Sequence, residues 1–162
     1  MLKFMRSAVF CLSAAAAFVA ISGADTAAQT TRGEAGTPVG VWEIIISFRN
    51  CETGEILRER PGLISFMSGG VMQEFGTGSA PLDRSDAQGV WRHTFGRYFS
   101  SSSKAFRFAA DGNLSGSLRL YRDLELSQGG DAIDIVVSSE IYDANGALIA
   151  VGCATESGTR LR

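Results

Sequence analysis

An all-β fold, a single up-and-down antiparallel β-barrel of about eight strands, follows from three features of this sequence. From Val39 nearly to the C-terminus, apolar residues recur with period two rather than with the helical period. The apolar runs are separated by short stretches rich in Gly, Asn and Asp, residues that supply the positive φ values tight hairpins need. Finally, Cys51 ends the first run and Cys153 lies in the last. An open sheet of this many strands would leave two edges exposed, and rolling it up removes them. Pairing the first strand with the last would bring the two cysteines together, although a two-layer sandwich could do so as well.

Each element can be justified in order. Gly40–Phe48 (GVWEIIISF) places Trp42, Ile44, Ile46 and Phe48 on one face, which marks a strand with one greasy side. Turn residues at Glu52-Thr53-Gly54 precede a strand at Leu63–Met67, and Ser68-Gly69-Gly70 turns into Val71–Phe75. The polar stretch Gly76–Gln88 interrupts the meander and has room for a short helix between Ser79 and Gln88. Val90–Phe99 resumes it, and Ser100–Ser103 reads as a turn into Lys104–Ala109. The remaining strands are Leu114–Leu126, Ala132–Tyr142 and Leu148–Thr155, each after a Gly-containing turn.

The tripeptide GVW occurs at Gly40–Trp42 and again at Gly89–Trp91, opening the first and fourth strands. Those strands run in opposite directions and the sequences after the two copies diverge at once. An internal duplication is therefore rejected, and the tryptophans are expected near opposite ends of the barrel.

Residues 1–28 read as a signal peptide: Lys3 and Arg6 precede an apolar core, and small residues allow cleavage after Ala24 or Ala28. The apolar run is short for a membrane span, and no later stretch is long and apolar enough to be a transmembrane helix. Residues 29–38 read as a flexible lead-in and 39–162 as the barrel domain. The arginine and alanine bias fits a bacterial periplasm or the cell exterior. In such an oxidising compartment, Cys51 and Cys153, the two cysteines left after cleavage, are expected to form a disulfide. A formal charge of -2 and the absence of basic runs exclude a nucleic-acid footprint.

Gly40-Val41-Trp42 at the head of the first strand, followed by an up-and-down meander, resembles the calycin superfamily, which includes the lipocalins and fatty-acid-binding proteins. The chain also looks like small secreted bacterial lipocalin-like domains, and allene oxide cyclase shares the broad architecture. The resemblance implies that Trp42, beside Gly40, packs across one barrel end against Arg160 or Arg162. The later lipocalin signatures, Thr-Asp-Tyr and a C-terminal helix, are missing, so no lipocalin ligand is carried over.

Alternation places Trp91, His93, Phe95, Arg97 and Phe99 on one face, and the leucines of Leu114–Leu126 carry Arg122 on theirs. If these faces point inward, Trp91, Phe95 and Phe99 line an apolar cavity. Arg97 and Arg122 would then meet the carboxylate of an amphipathic ligand. The competing reading is a flipped or bulged strand that leaves the arginines in solvent and the aromatics as ordinary core. His93 is a general acid or base only with a partner, for which Glu74 and Asp134 are candidates. One histidine, two cysteines expected to pair and no clustered carboxylates give no metal site, and no cofactor is expected. The functional expectation is an exported barrel binding a small hydrophobic or amphipathic molecule. Two alternatives stand beside it: an isomerase or cyclase using His93 or Glu74 on a flexible apolar substrate, and a filled barrel serving as a structural or protein-interaction module.

Overall fold

The computed structural model describes residues 36–76 and 83–162. The signal-peptide reading, most of the lead-in and part of the Gly76–Gln88 stretch fall outside the described residues. Eight strands are formed: β1 (Gly40–Arg49), β2 (Ile56–Met67), β3 (Val71–Gly76), β4 (Ala87–Phe95), β5 (Tyr98–Phe108), β6 (Leu114–Leu126), β7 (Ala132–Asp143) and β8 (Leu148–Arg160). Each pairs antiparallel with the next, and β8 returns to β1 to close the barrel. No helix occurs among the described residues.

Closure aligns Trp42 with Arg160 at one end of the β1–β8 seam and Arg49 with Cys153 at the other. Cys51 and Cys153 form a disulfide beside that second pair, with Cα atoms 5.3 Å apart. The alternating side chains of all strands converge on a core that includes Trp42, Ile64, Phe66, Met72, Phe99, Leu124, Leu126 and Ile133.

Barrel strands tilt against the axis, so paired residues climb from strand to strand. Gly40 lies opposite Phe66, Phe66 opposite Met72, and Met72 opposite Gly89, which puts the glycines of both GVW copies in one row. The stagger raises Gly89 relative to Gly40, so two residues up β1 and two residues down β4 reach a similar level. Trp91 accordingly meets Phe66 edge-on, with centroids 6.2 Å apart. The expectation of opposite ends is corrected: the two tryptophans share one end. The two glycines serve different needs there. A Cβ on Gly40 would lie 2.6 Å from Arg160 Nη1, and one on Gly89 would overlap the Ser102 backbone.

The boundary between β4 and β5 also differs from the sequence expectation. The turn falls at Gly96-Arg97, where Gly96 takes a φ of 54°, and Ser100–Ser103 runs through the middle of β5. Serines read as a loop in isolation, yet here the backbone is hydrogen-bonded on both sides, to β4 and to β6. Ser101 and Ser103 are buried on the inner face.

Candidate functional site

The two ends of the barrel are built from different chemistry. At the end where β1 begins, Arg160 lies over the Trp42 ring at 4.3 Å from its centroid. Its guanidinium donates to the carbonyls of Val39, Thr37 (2.9 Å) and Gly130 (3.0 Å), while Trp42 Nε1 donates to Pro38 O at 2.8 Å. The chain just before β1 is thereby tied across the opening, and Phe66, Trp91 and Phe99 stack behind it edge to face. Arg162 lies apart, exposed and paired with Asp131 at 3.5 Å.

Halfway along the interior stands a buried ionic layer. Arg122, with 0% of its side chain exposed, donates to Glu156 (3.1 Å), to Ser103 Oγ (3.0 Å) and to Glu74. Glu74 in turn accepts from Arg84. Unpaired charges would be prohibitive here, and the mutual satisfaction of these groups is what makes the layer tolerable. Burial pushes the Glu74 carboxyl up, but Arg122 and Arg84 outweigh it and hold the group below the ordinary carboxylate range. For Glu156 burial prevails over Arg122, with Glu74 adding repulsion, so its carboxyl titrates above the ordinary range. Burial disfavours the Arg122 cation, yet Glu156 and Glu74 outweigh it and keep the guanidinium firmly protonated.

Beyond this layer, toward the Cys51–Cys153 end, the interior is open. A cavity of about 950 Å³ has Glu74 and Glu156 in its floor and apolar walls that include Ile46, Phe48, Leu118, Leu120, Val137 and Ile141. Arg58, Arg60, Arg84 and Arg107 also line it. Arg58 stacks on Phe48 at 4.3 Å, and a single bridge joins the backbones of Arg84 and Arg107. Arg84 Nη1 is shielded from solvent with no hydrogen-bond acceptor, although Nη2 of the same group is paired with Glu74. A buried donor left unpaired costs about 1–3 kcal/mol.

The sequence-derived site residues are distributed differently from the expectation. Trp91 and Phe99 do face inward, but in the packed end rather than in the cavity. Phe95 and Arg97 are corrected outright: a register shift after His93 turns Phe95 outward, 66% exposed, and Arg97 pairs on the outside with Glu125 at 3.0 Å. Arg122 faces inward as expected, but its donors are consumed by protein acceptors, so it cannot anchor a ligand. His93 is exposed at the rim, bonded to Gly96 O at 3.0 Å and packed on Phe99, and neither Glu74 nor Asp134 is its partner. Glu74 does floor the cavity, where two guanidiniums oppose its protonation. No group of potential metal ligands occurs among the described residues.

Reading Ser100–Ser103 as a turn breaks the alternation that leads to Arg107, and ending the last strand at Thr155 leaves Glu156 just outside it. Continued from Phe99 through Ser101, Ser103 and Ala105, that alternation reaches Arg107. Arg58 and Arg60 likewise lie in the part of β2 before Leu63, where the sequence reading begins the strand. Compared with models of known protein families, with curated proteins and with solved structures, the chain gives no match in any of the three. The class of molecule is thus defined by geometry: a closed eight-stranded antiparallel barrel, packed at one end and hollow at the other.

Proposed function

We propose that this chain is an exported, lipocalin-like barrel that binds a small amphipathic molecule in the hollow end. The observation that carries the reading is the cavity itself: its volume falls in the range of small-molecule sites, and its lining combines apolar side chains such as Ile46, Phe48, Leu118 and Ile141 with convergent charged groups. Barrels of this strand number can be filled by their own side chains or can hold one small ligand. Here Trp42, Phe66, Trp91 and Phe99 fill one end, and the other is left to aliphatic residues, Phe48, Phe108 and charged side chains. Export fits the disulfide and the sequence of residues 1–28.

A second reading, protein interaction through the outer wall, has one observation in its favour. Val41, Ile45, Leu63 and Phe75 are exposed on β1–β3, and a groove on that outer face is lined by Ile45, Pro61, Leu63 and Phe75. The groove's charged lining residues are Glu43 and Asp134, with none of the arginines of the barrel interior, which is why the interior site is preferred.

The test is native and denaturing mass spectrometry of protein isolated from the periplasm of the expressing cell, followed by titration with fluorescent apolar probes. A bound small molecule lost on denaturation, or saturable probe uptake, is expected. An empty protein that takes up no probe would overturn the reading.

A further inference from the structure

The cavity walls carry more positive charge than a site for a neutral lipid would require. Arg49, Arg58, Arg60, Arg84 and Arg107 line it together with the acidic residues Glu52, Glu74, Asp83 and Glu156. Much of that acidity is already committed, because Glu74 and Glu156 also neutralise Arg122 beneath the floor. Arg58 has Phe48 rather than a carboxylate against it, and no described carboxylate is within ion-pair distance of Arg107. The bridge between Arg84 and Arg107 holds two cationic residues side by side, an arrangement that favours a shared counter-anion.

Arg84 has the most specific geometry. It reaches inward far enough to bond Glu74, a residue of the buried ionic layer, so its guanidinium lies at the inner part of the cavity rather than at the mouth. One nitrogen is spent on that contact, while Nη1 is withdrawn from water without an acceptor. The side chain as a whole keeps 19% of its surface accessible, and an arginine fork is suited to carboxylate or phosphate. Aliphatic and aromatic side chains, Phe48, Leu118 and Ile141 among them, also line this space and could cover an alkyl chain.

Resting on the binding function proposed above, we infer that the cavity selects amphiphiles with an oxyanion head, received head-first, with the carboxylate or phosphate on Arg84 beside Arg107. The test compares dodecanoate, dodecyl phosphate and dodecanol, which share a chain and differ in head, by calorimetric titration of the mature disulfide-bonded protein at neutral pH. Wild type is expected to bind at least one of the two anions ten-fold or more tighter than the alcohol, and the preferred anion identifies the source chemistry. Arg84→Met should reduce that preference to less than three-fold while still binding dodecanol. Arg97→Met, which alters an arginine on the outer wall, should leave the preference intact.

Equal affinity for all three compounds in wild type would overturn the head-group inference and leave the cavity as a neutral lipid site. Binding of none would overturn the cavity reading itself. Should Arg84→Met fail to give a native circular dichroism spectrum, Arg107→Met serves in its place, and an undiminished anion preference in a folded Arg107→Met would count against the shared site. The wild-type comparison decides head-group selectivity without either variant.

Discussion

The two ends of this barrel solve the same problem by different means. Where β1 begins, the strands are held by what lies between them: Trp42, Phe66, Trp91 and Phe99 fill the interior, and Arg160 closes over Trp42. Where β1 finishes, the strands surround a cavity walled by smaller buried side chains such as Ile46, Leu120 and Val137, and the β1–β2 turn is fixed to β8 by the Cys51–Cys153 bond. A barrel that keeps one end hollow gives up apolar contact there, and a covalent link is one substitute. The buried Arg122 layer marks the border between the two regimes.

The largest effect is expected from the covalent end. The disulfide spans 102 positions, and the chain-entropy model assigns a loop of that size about 4–5 kcal/mol as an upper figure. Urea unfolding of Cys51→Ser/Cys153→Ser against wild type should therefore show a large fall in midpoint. A change below about 1 kcal/mol would mean the hollow end is held by packing after all.

Next comes the contrast between Trp42→Ala and Phe48→Ala. Truncating a fully buried large aromatic typically costs about 3–5 kcal/mol. Phe48, half-buried at the cavity wall, should cost no more than about 1–2 kcal/mol because it leaves existing empty space rather than a new void. Equal losses in thermal or urea melts would abolish the distinction between the ends.

Arg122→Met tests the border. Removing one partner of a buried ionic cluster costs about 3–5 kcal/mol, because Glu156 is left in the interior without its cation. The companion Arg122→Met/Glu156→Gln should recover part of that loss. If the double variant is no more stable than the single one, an unpaired Glu156 charge is not the cause.

The smallest effect lies in pH dependence. The Glu156 carboxyl is raised in the folded state, so its contribution to stability is fullest below the unfolded value near 4.5 and is lost as pH rises through the folded value. Glu74 is lowered and acts in the opposite sense: its contribution is present above the unfolded value and lost as pH falls through the folded one. Glu156→Gln should remove the first component, so unfolding free energy measured upward from pH 4.5 should decline less steeply than in wild type. An unchanged slope would show that Glu156 titrates normally in the folded chain.

Much of the architecture was written in local pattern. Period-two alternation and glycine-bearing turns identified the strands, and the positions of Cys51 and Cys153 argued for joining the first strand to the last. Trp42 and Arg160 could be matched through the Gly40-Val41-Trp42 resemblance, since their contact sits where the closing seam pairs them. The site was less legible. Phe95 and Arg97 obey the alternation in the sequence, yet one register shift beside a tight turn at Gly96 carries both outside.

By itself, then, the sequence determined that this chain would fold as an antiparallel meander, which residues would compete for its interior, and which cysteines could meet. Tertiary structure decided which end stayed hollow and which arginines entered it. The physical reason is that alternation assigns a side chain to a face only within an unbroken strand, whereas the level it reaches depends on barrel stagger. Arg122 became part of a sealed ionic layer because Glu74 and Glu156 arrive from distant strands. Arg84 came to face the cavity because a short bridge lays its segment beside β5.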